Sequence, residues 1–309
     1  MPSPHIPGDG TYASGGASPT PPLEERSTRM TAAESLDDLT EKIVMHDLVP
    51  RRLTVLRTVD LTPRMRRIVV GGPEIAGFPH GTGRPTDHVK LFFPDETGDV
   101  AMPEIEGDGK WIEPDGRRLE FRDYTVRAFD PEAGELTLDF VLHEHGTGGR
   151  WAATAEAGAP LGVLGPRGSI LVPTGYPAYI LAADETALPA LARWLEELPA
   201  TARIQAFVEV RDASDELDLE RSAETRLTYL HRGSAAPGST ELLIEAIRAV
   251  ELPADPYFVW AAGEATSLKP IRRYFRRELG LPKERVDIDG YWKRGVVNLD
   301  HHDDEGDDA

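Results

Sequence analysis

The chain has no cysteine. That excludes disulfides, thiol catalysis, cysteine-type zinc sites and cysteine-held iron–sulfur clusters. Any redox chemistry must therefore come from a bound organic cofactor. Long apolar runs are also missing. None approaches the roughly 20 residues that span a bilayer, and the Pro/Gly/Ser-rich start has no basic patch followed by an apolar stretch, so a cytoplasmic protein without a secretory signal is expected. Basic residues are scarce: 34 Lys and Arg face 53 Asp and Glu, a formal charge of −19 over 309 residues. Residues 1–48 hold eight acids and three bases, and residues 300–309 hold six acids and no Lys or Arg. This balance argues against nucleic acid or an anionic membrane as partner. An anionic ligand would need a local cluster of bases.

Four segments are expected: residues 1–48, 49–173, 174–298 and 299–309. The first reads as a largely disordered tail, with an amphipathic helix over 32–46 suggested by Leu36, Leu39 and Ile43. The last reads as a disordered acidic end, His301 and His302 included, and no metal site is expected. From about 50 to 172 short β-rich runs lie between Gly, Pro and Asp. In 135–143, Leu136, Leu138, Phe140 and Leu142 alternate with Thr137, Asp139, Val141 and His143, the pattern of a half-buried strand. Many short antiparallel strands suggest a small closed barrel. From about 177 strands and helices alternate, as in "AYILAA", "TALPALARWLEEL" and "RIQAFVEV". The second half should be an open parallel sheet with helices on both faces.

Two stretches carry candidate chemistry. "RDYTVR" (122–127) sets an aromatic and a hydroxyl between two arginines. Tyr124 could pack on a flat ring and Arg122, two residues away on the same face, could pair with a phosphate. The Thr125 hydroxyl or N–H could reach the ring's reactive edge. An idle exposed strand would look the same. "HEHGTGGRWAATAEAG" (143–158) then runs from a strand end through Gly146, Gly148 and Gly149 into an Ala-rich helix, a turn suited to close approach by a ligand and to anion binding at the helix start, with Thr147 adding a hydroxyl.

Taken in order, "LTPRMRRIVVGG" (61–72), "DHVKLFFP" (87–94), "RDYTVRAFD" (122–130), "LDFVLHEHGTGGRWA" (138–152), "GPRGS" (165–169), "LAADETALPA" (181–190), "AAGEATSLKPIRRYFRRELG" (261–280) and "GYWKRG" (290–295) resemble the siderophore-interacting proteins, or ferric-siderophore reductases, flavoproteins of the ferredoxin–NADP reductase superfamily. The resemblance covers roughly residues 50–296. It implies an antiparallel six-stranded FAD-binding barrel followed by an NAD(P)-binding-like α/β domain. It implies an FAD held by Arg122, Tyr124 and Thr125, with His143, Thr147, Gly148, Gly149, Trp151 and Ala152 along the ribityl–pyrophosphate path. Arg127 serves either the flavin or a structural ion pair.

In the second domain Asp184, Glu185 and Thr186 stand where related reductases face flavin and nicotinamide, and equally well cap a helix. Gly263 and Glu264 end a later strand, where open sheets bind ligands. Glu209 would favour NADH by accepting from ribose hydroxyls, whereas Arg211 would favour NADPH by meeting a 2′-phosphate. Ferredoxin stays open as an alternative electron donor. For an anionic ferric siderophore, the candidate docking bases are Lys293 and Arg294 beside Tyr291 and Trp292, and Lys90. Further clusters lie at Arg64, Arg66 and Arg67 and along 266–280. The expected activity is FAD-dependent reduction of the Fe(III) chelate to Fe(II) by NAD(P)H. The alternatives are a general flavin reductase acting on a protein or quinone, and a non-catalytic siderophore binder.

Overall fold

The computed structural model describes residues 39–296 apart from Asp108, Arg117 and His145. Residues 1–38 of the expected tail at 1–48, and all of the expected tail at 299–309, lie outside the described residues. Where the helix over 32–46 was expected, residues 42–45 instead form strand β1 (Lys42–Met45), antiparallel to β11 (Gly168–Leu171). The open edge of β11 gives the short "KIVM" run backbone partners that an isolated, few-turn helix would have to supply itself.

The first sheet has seven strands rather than the expected six: β2 (Pro50–Thr62), β3 (Met65–Gly71), β4 (His88–Phe92), β7 (Arg122–Thr125), β8 (Ala128–Asp130), β9 (Glu135–Val141) and β10 (Pro160–Leu164). Their order is β7-β4-β10-β2-β3-β9-β8. The sheet curls until its ends meet: the rings of Tyr124 on β7 and Phe140 on β9 lie 4.3 Å apart. The alternation read in 135–143 holds, with Leu136, Leu138 and Phe140 fully buried. They pack with Leu53, Ile68, Val89, Leu91 and Val163 inside the barrel. A small hairpin of β5 (Glu104–Glu106) and β6 (Lys110–Ile112), with no counterpart in the sequence reading, covers a satellite cluster around Phe92 and Trp111.

The second sheet is parallel, ordered β14-β13-β12-β15-β16, from β12 (Ala178–Asp184), β13 (Arg203–Val210), β14 (Thr225–His231), β15 (Phe258–Glu264) and β16 (Val286–Trp292). β12 and β15 are buried along their whole length, as continuous apolar strands between two layers must be. Helix α2 (Leu188–Glu197) covers one face, with Trp194 against Trp260. Helices α3 (Leu242–Ala249) and α4 (Ala265–Arg273) cover the other. Helix α1 (Thr147–Thr154) belongs to the barrel. Among the described residues no helix is long and apolar enough to cross a membrane.

Polar contacts join barrel and α/β layer. Arg64 reaches Asp215 at 2.6 Å, Arg127 pairs with Glu196, and Arg193 donates to the carbonyl of Val126 at 3.0 Å. Arg193 is 7% exposed, so this tie is shielded from solvent.

Candidate functional site

The β4–β7 register pairs Val89 with Tyr124 and Leu91 with Arg122, and His88 with Thr125 and Lys90 with Asp123. Arg122 and Tyr124 therefore share one face of β7, as the sequence suggests, and Thr125 points to the other. Burial pushes the Tyr124 phenol well above its ordinary range, against a smaller opposing pull from the Arg122 charge. The ring stays a neutral, flat surface. Arg122 donates to the carbonyl of Phe121 at 2.6 Å, and among the described residues no carboxylate pairs with it. A guanidinium without an acid beside a neutral phenol suits a phosphorylated aromatic ligand.

Helix α1 starts against this face. Its N-cap, Gly146, sits at φ 82°, and no side chain caps the first turn. Its first N–H groups therefore lack partners within the helix. Gly148 and Gly149 allow a close approach: a Cβ on Gly148 would press on the Tyr124 hydroxyl, and one on Gly149 would lie 2.7 Å from the His143 ring, so either side chain would have to shift. Glycine brings the helix start flush with tyrosine and histidine, leaving backbone donors as the nearest groups. Thr147 is half-buried, its hydroxyl 3.4 Å from Glu120. Trp151 and Ala152 instead face the barrel: Trp151 packs on Phe93 and Phe140, and Ala152 is fully buried. Both anchor the helix; Ala152 presents no side chain outward, whereas Trp151 is partly buried. An FAD fits this set, with Tyr124 at the ring, Arg122 and the α1 start at the phosphates, and His143 between.

Thr125 is buried, with Tyr291 of β16 beside its side chain. Its hydroxyl thus lies toward the last strand of the other sheet and does not point with Tyr124. Lys90 is also placed differently from expectation. Its ammonium contacts both oxygens of Asp123, at 2.9 and 3.2 Å, and lies 4.3 Å over the Phe121 ring. It stands on the face away from Tyr124, neutralised by its neighbour. The ion-pair reading of Arg127 holds: it bonds Glu196 and lies 3.9 Å from Asp139, which Arg67 grips with two bonds.

At the carboxyl ends of the parallel strands, the expected cofactor contacts are taken up by one another. Asp184 accepts from the Thr186 N–H and hydroxyl, from the Glu264 N–H at 3.0 Å and from the Trp292 indole at 2.8 Å. It joins the ends of β12, β15 and β16. Gly263 is required beside it, since a Cβ there would lie 2.7 Å from its carboxylate. Glu264 caps α4 through the Ser267 N–H and holds the Arg294 N–H at 3.1 Å. Glu209 accepts from the Thr240 hydroxyl at 2.6 Å, and burial raises its pKa. Arg211 is half exposed, 3.9 Å from Asp212. Lys293 sits in a bridge to Val296, and the exposed Arg294 side chain makes no ion pair among the described residues.

Sequence reasoning missed the pairing of Glu185 with Arg232, which closes two short hydrogen bonds across the rim. Burial still raises the Glu185 pKa, more than Arg232 lowers it. Nothing in the local pattern marked Arg232, 47 residues away. The Asp184–Trp292 bond joins two of the quoted motifs and was within reach. Among the described residues no cluster of His, Asp and Glu could hold a metal.

Comparison with known proteins matches residues 54–170 to the siderophore-interacting FAD-binding domain and residues 176–295 to the siderophore-interacting protein model. The NADPH-dependent ferric-chelate reductase of Escherichia coli is 36% identical over 81% of this chain and 95% of its own. Ferric vibriobactin reductase ViuB of Vibrio cholerae is 32% identical over 82% of this chain and 93% of its own. The crystal structure of a siderophore utilization protein from T. fusca superposes with a TM-score of 0.80 at 49% identity, over 85% of this chain and 99% of that one. With both halves matched in order and relatives aligned nearly end to end, the chain belongs to the siderophore-interacting protein family.

Proposed function

We propose that the chain reduces Fe(III) held by a siderophore to Fe(II), using FAD and electrons from NAD(P)H, in the cytoplasm. The observation that carries this reading is the cradle of β7 and α1, where glycine backbone meets Tyr124 and His143 inside the segment matched to the family's FAD-binding domain. The ferric-chelate activities of the Escherichia coli and Vibrio cholerae relatives support the substrate class, and the former supports NADPH as donor.

Arg122 and the α1 start hold the phosphates, Tyr124 supplies the ring's platform, and the buried contacts behind them keep water out. When bound, FAD accepts two electrons as a hydride and releases them singly, matching a two-electron donor to a one-electron metal. Hard oxygen ligands hold Fe(III) far better than Fe(II), so reduction alone loosens the iron and the protein needs no ligand of its own. Arg294 and Lys293, on the loop fixed by Glu264, attract the anionic chelate. Barrel and α/β layer divide the work near residues 173–174.

Anaerobic titration of the FAD-loaded protein with NADH, NADPH and reduced ferredoxin, then with several ferric chelates, tests the reading. Bleaching by a nicotinamide and re-oxidation by a chelate are expected; a protein that cannot be loaded with FAD overturns it. Lys293→Ala and Arg294→Ala are expected to slow chelate reduction at unchanged flavin content.

A further inference from the structure

Arg64, just before β3, and Arg66 and Arg67 within it looked like a landing place for an anion, but each has a separate structural partner. Arg64 reaches Asp215, and Arg67 holds Asp139. Arg66 points to helix α1. One of its terminal nitrogens donates to the carbonyls of Ala152 and Ala153 at 3.0 and 2.9 Å. The other donates to the Thr58 hydroxyl at 3.0 Å, and its Nε lies 3.1 Å from Asp60. Ala152 and Ala153 lie in the last turn of α1, whose carbonyls have no partner within the helix. The Arg66 side chain is 17% exposed, so these contacts are partly shielded from water.

The other end of this eight-residue helix is the uncapped start beside Tyr124 and His143. We propose that Arg66 is a positioning residue for the flavin's phosphates, acting on them through α1 without touching the cofactor. It does so in two ways. It fixes the helix to β2 through Thr58 and Asp60, so that the N–H groups at the start stand at a set height over β7. It also places a guanidinium, shared with Asp60, at the negative end of the helix dipole, about 12 Å from the phosphate end, where its field adds to that of the helix. The residue was read as part of a basic cluster for an anionic chelate because two of its partners are backbone carbonyls more than 80 positions away, which no local pattern reveals.

This inference rests on the FAD reading above. The test compares flavin-free protein carrying Arg66→Met or Arg66→Lys with the parent, titrated with FAD and with riboflavin, which lacks phosphate. Arg66→Met is expected to weaken FAD by about 2- to 5-fold while riboflavin binding stays as in the parent at temperatures where the flavin-free protein is folded. Arg66→Lys should recover part of the FAD loss, since it keeps the charge and loses the fork. Unchanged FAD affinity in Arg66→Met overturns the proposal, and so does an equal loss for FAD and riboflavin, which would mark Arg66 as scaffold alone. If Arg66→Met does not fold, Thr58→Val removes one tether and should show the same phosphate-selective loss in weaker form; no such loss overturns the proposal. A parent protein that binds no FAD would instead overturn the functional reading.

Discussion

The cradle on the barrel and the rim of the parallel sheet are built on opposite plans. At the cradle, polar groups are left open: among the described residues Arg122 pairs with no acid and the α1 start has no side-chain cap. At the rim, polar groups close on each other: Asp184 with Thr186, Glu264 and Trp292, Glu185 with Arg232, and Glu209 with Thr240. Both carry residues of the kind that bind cofactors, yet at the rim these carboxylates already have partners. A permanently held cofactor can stand in for missing partners through the life of the protein. A donor that comes and goes cannot, so the surface it visits must be stable without it.

The largest expected effect breaks a rim pair. Arg232→Met leaves Glu185 buried without a counter-charge and should cost about 3–5 kcal/mol of stability. Combined Arg232→Met and Glu185→Met should cost much less, because no orphan charge remains. Urea unfolding of the four proteins measures the coupling. Substantial loss of FAD affinity in the single variant at temperatures where it is folded would break the contrast, by showing that the rim serves the flavin directly.

Asp184→Asn comes next. Asparagine keeps one acceptor oxygen, so either the Glu264 N–H and the Trp292 indole, which share one carboxylate oxygen, or the Thr186 N–H and hydroxyl, which share the other, lose their acceptor, for about 1–3 kcal/mol. The readouts are the urea midpoint and the fluorescence of Trp292, which should change where the amide turns its nitrogen to the indole, while flavin content holds. The converse variant is Gly149→Ala in the cradle. Its added Cβ would press on the His143 ring, lift the helix start and weaken FAD by roughly tenfold or more, while the flavin-free protein loses little stability. A large stability loss with intact FAD binding would reverse the assignment of the two regions.

The cradle was legible from sequence because its parts are local. "RDYT" puts Arg122 and Tyr124 two apart on one strand, and the glycines stand together at a strand-to-helix turn. The rim was legible as a location, since alternating strands and helices place their carboxyl ends on one side. Its chemistry was not. Whether Asp184 faces a ligand or Trp292 depends on contacts across 108 residues. The pairing of Lys90 was hidden for a nearer reason: its partner, Asp123, lies on the adjacent strand at a register that composition does not give. The β1 strand was missed because a four-residue run takes its structure from the edge it meets, whereas spacing alone suggested a helix.

The smallest effect tests what kind of group the rim holds. Burial raises the Glu209 carboxyl above its ordinary 4.5, with the Thr240 hydrogen bond and the Arg232 charge pulling less strongly the other way. The folded protein therefore keeps this proton at a pH where the unfolded chain has lost it, and stability from this group falls as pH rises from 4.5 through the raised value. Glu209→Gln keeps an oxygen for the Thr240 hydroxyl and removes the titration. The stability of the variant relative to the parent should therefore grow with pH across that window and then level off, as followed by urea midpoints taken from mildly acidic to neutral pH. A difference that shrinks with pH would mean that Arg232 holds Glu209 charged and that the rim is a salt-bridge network, in which case its two acids share one cation and a visiting phosphate would compete for it.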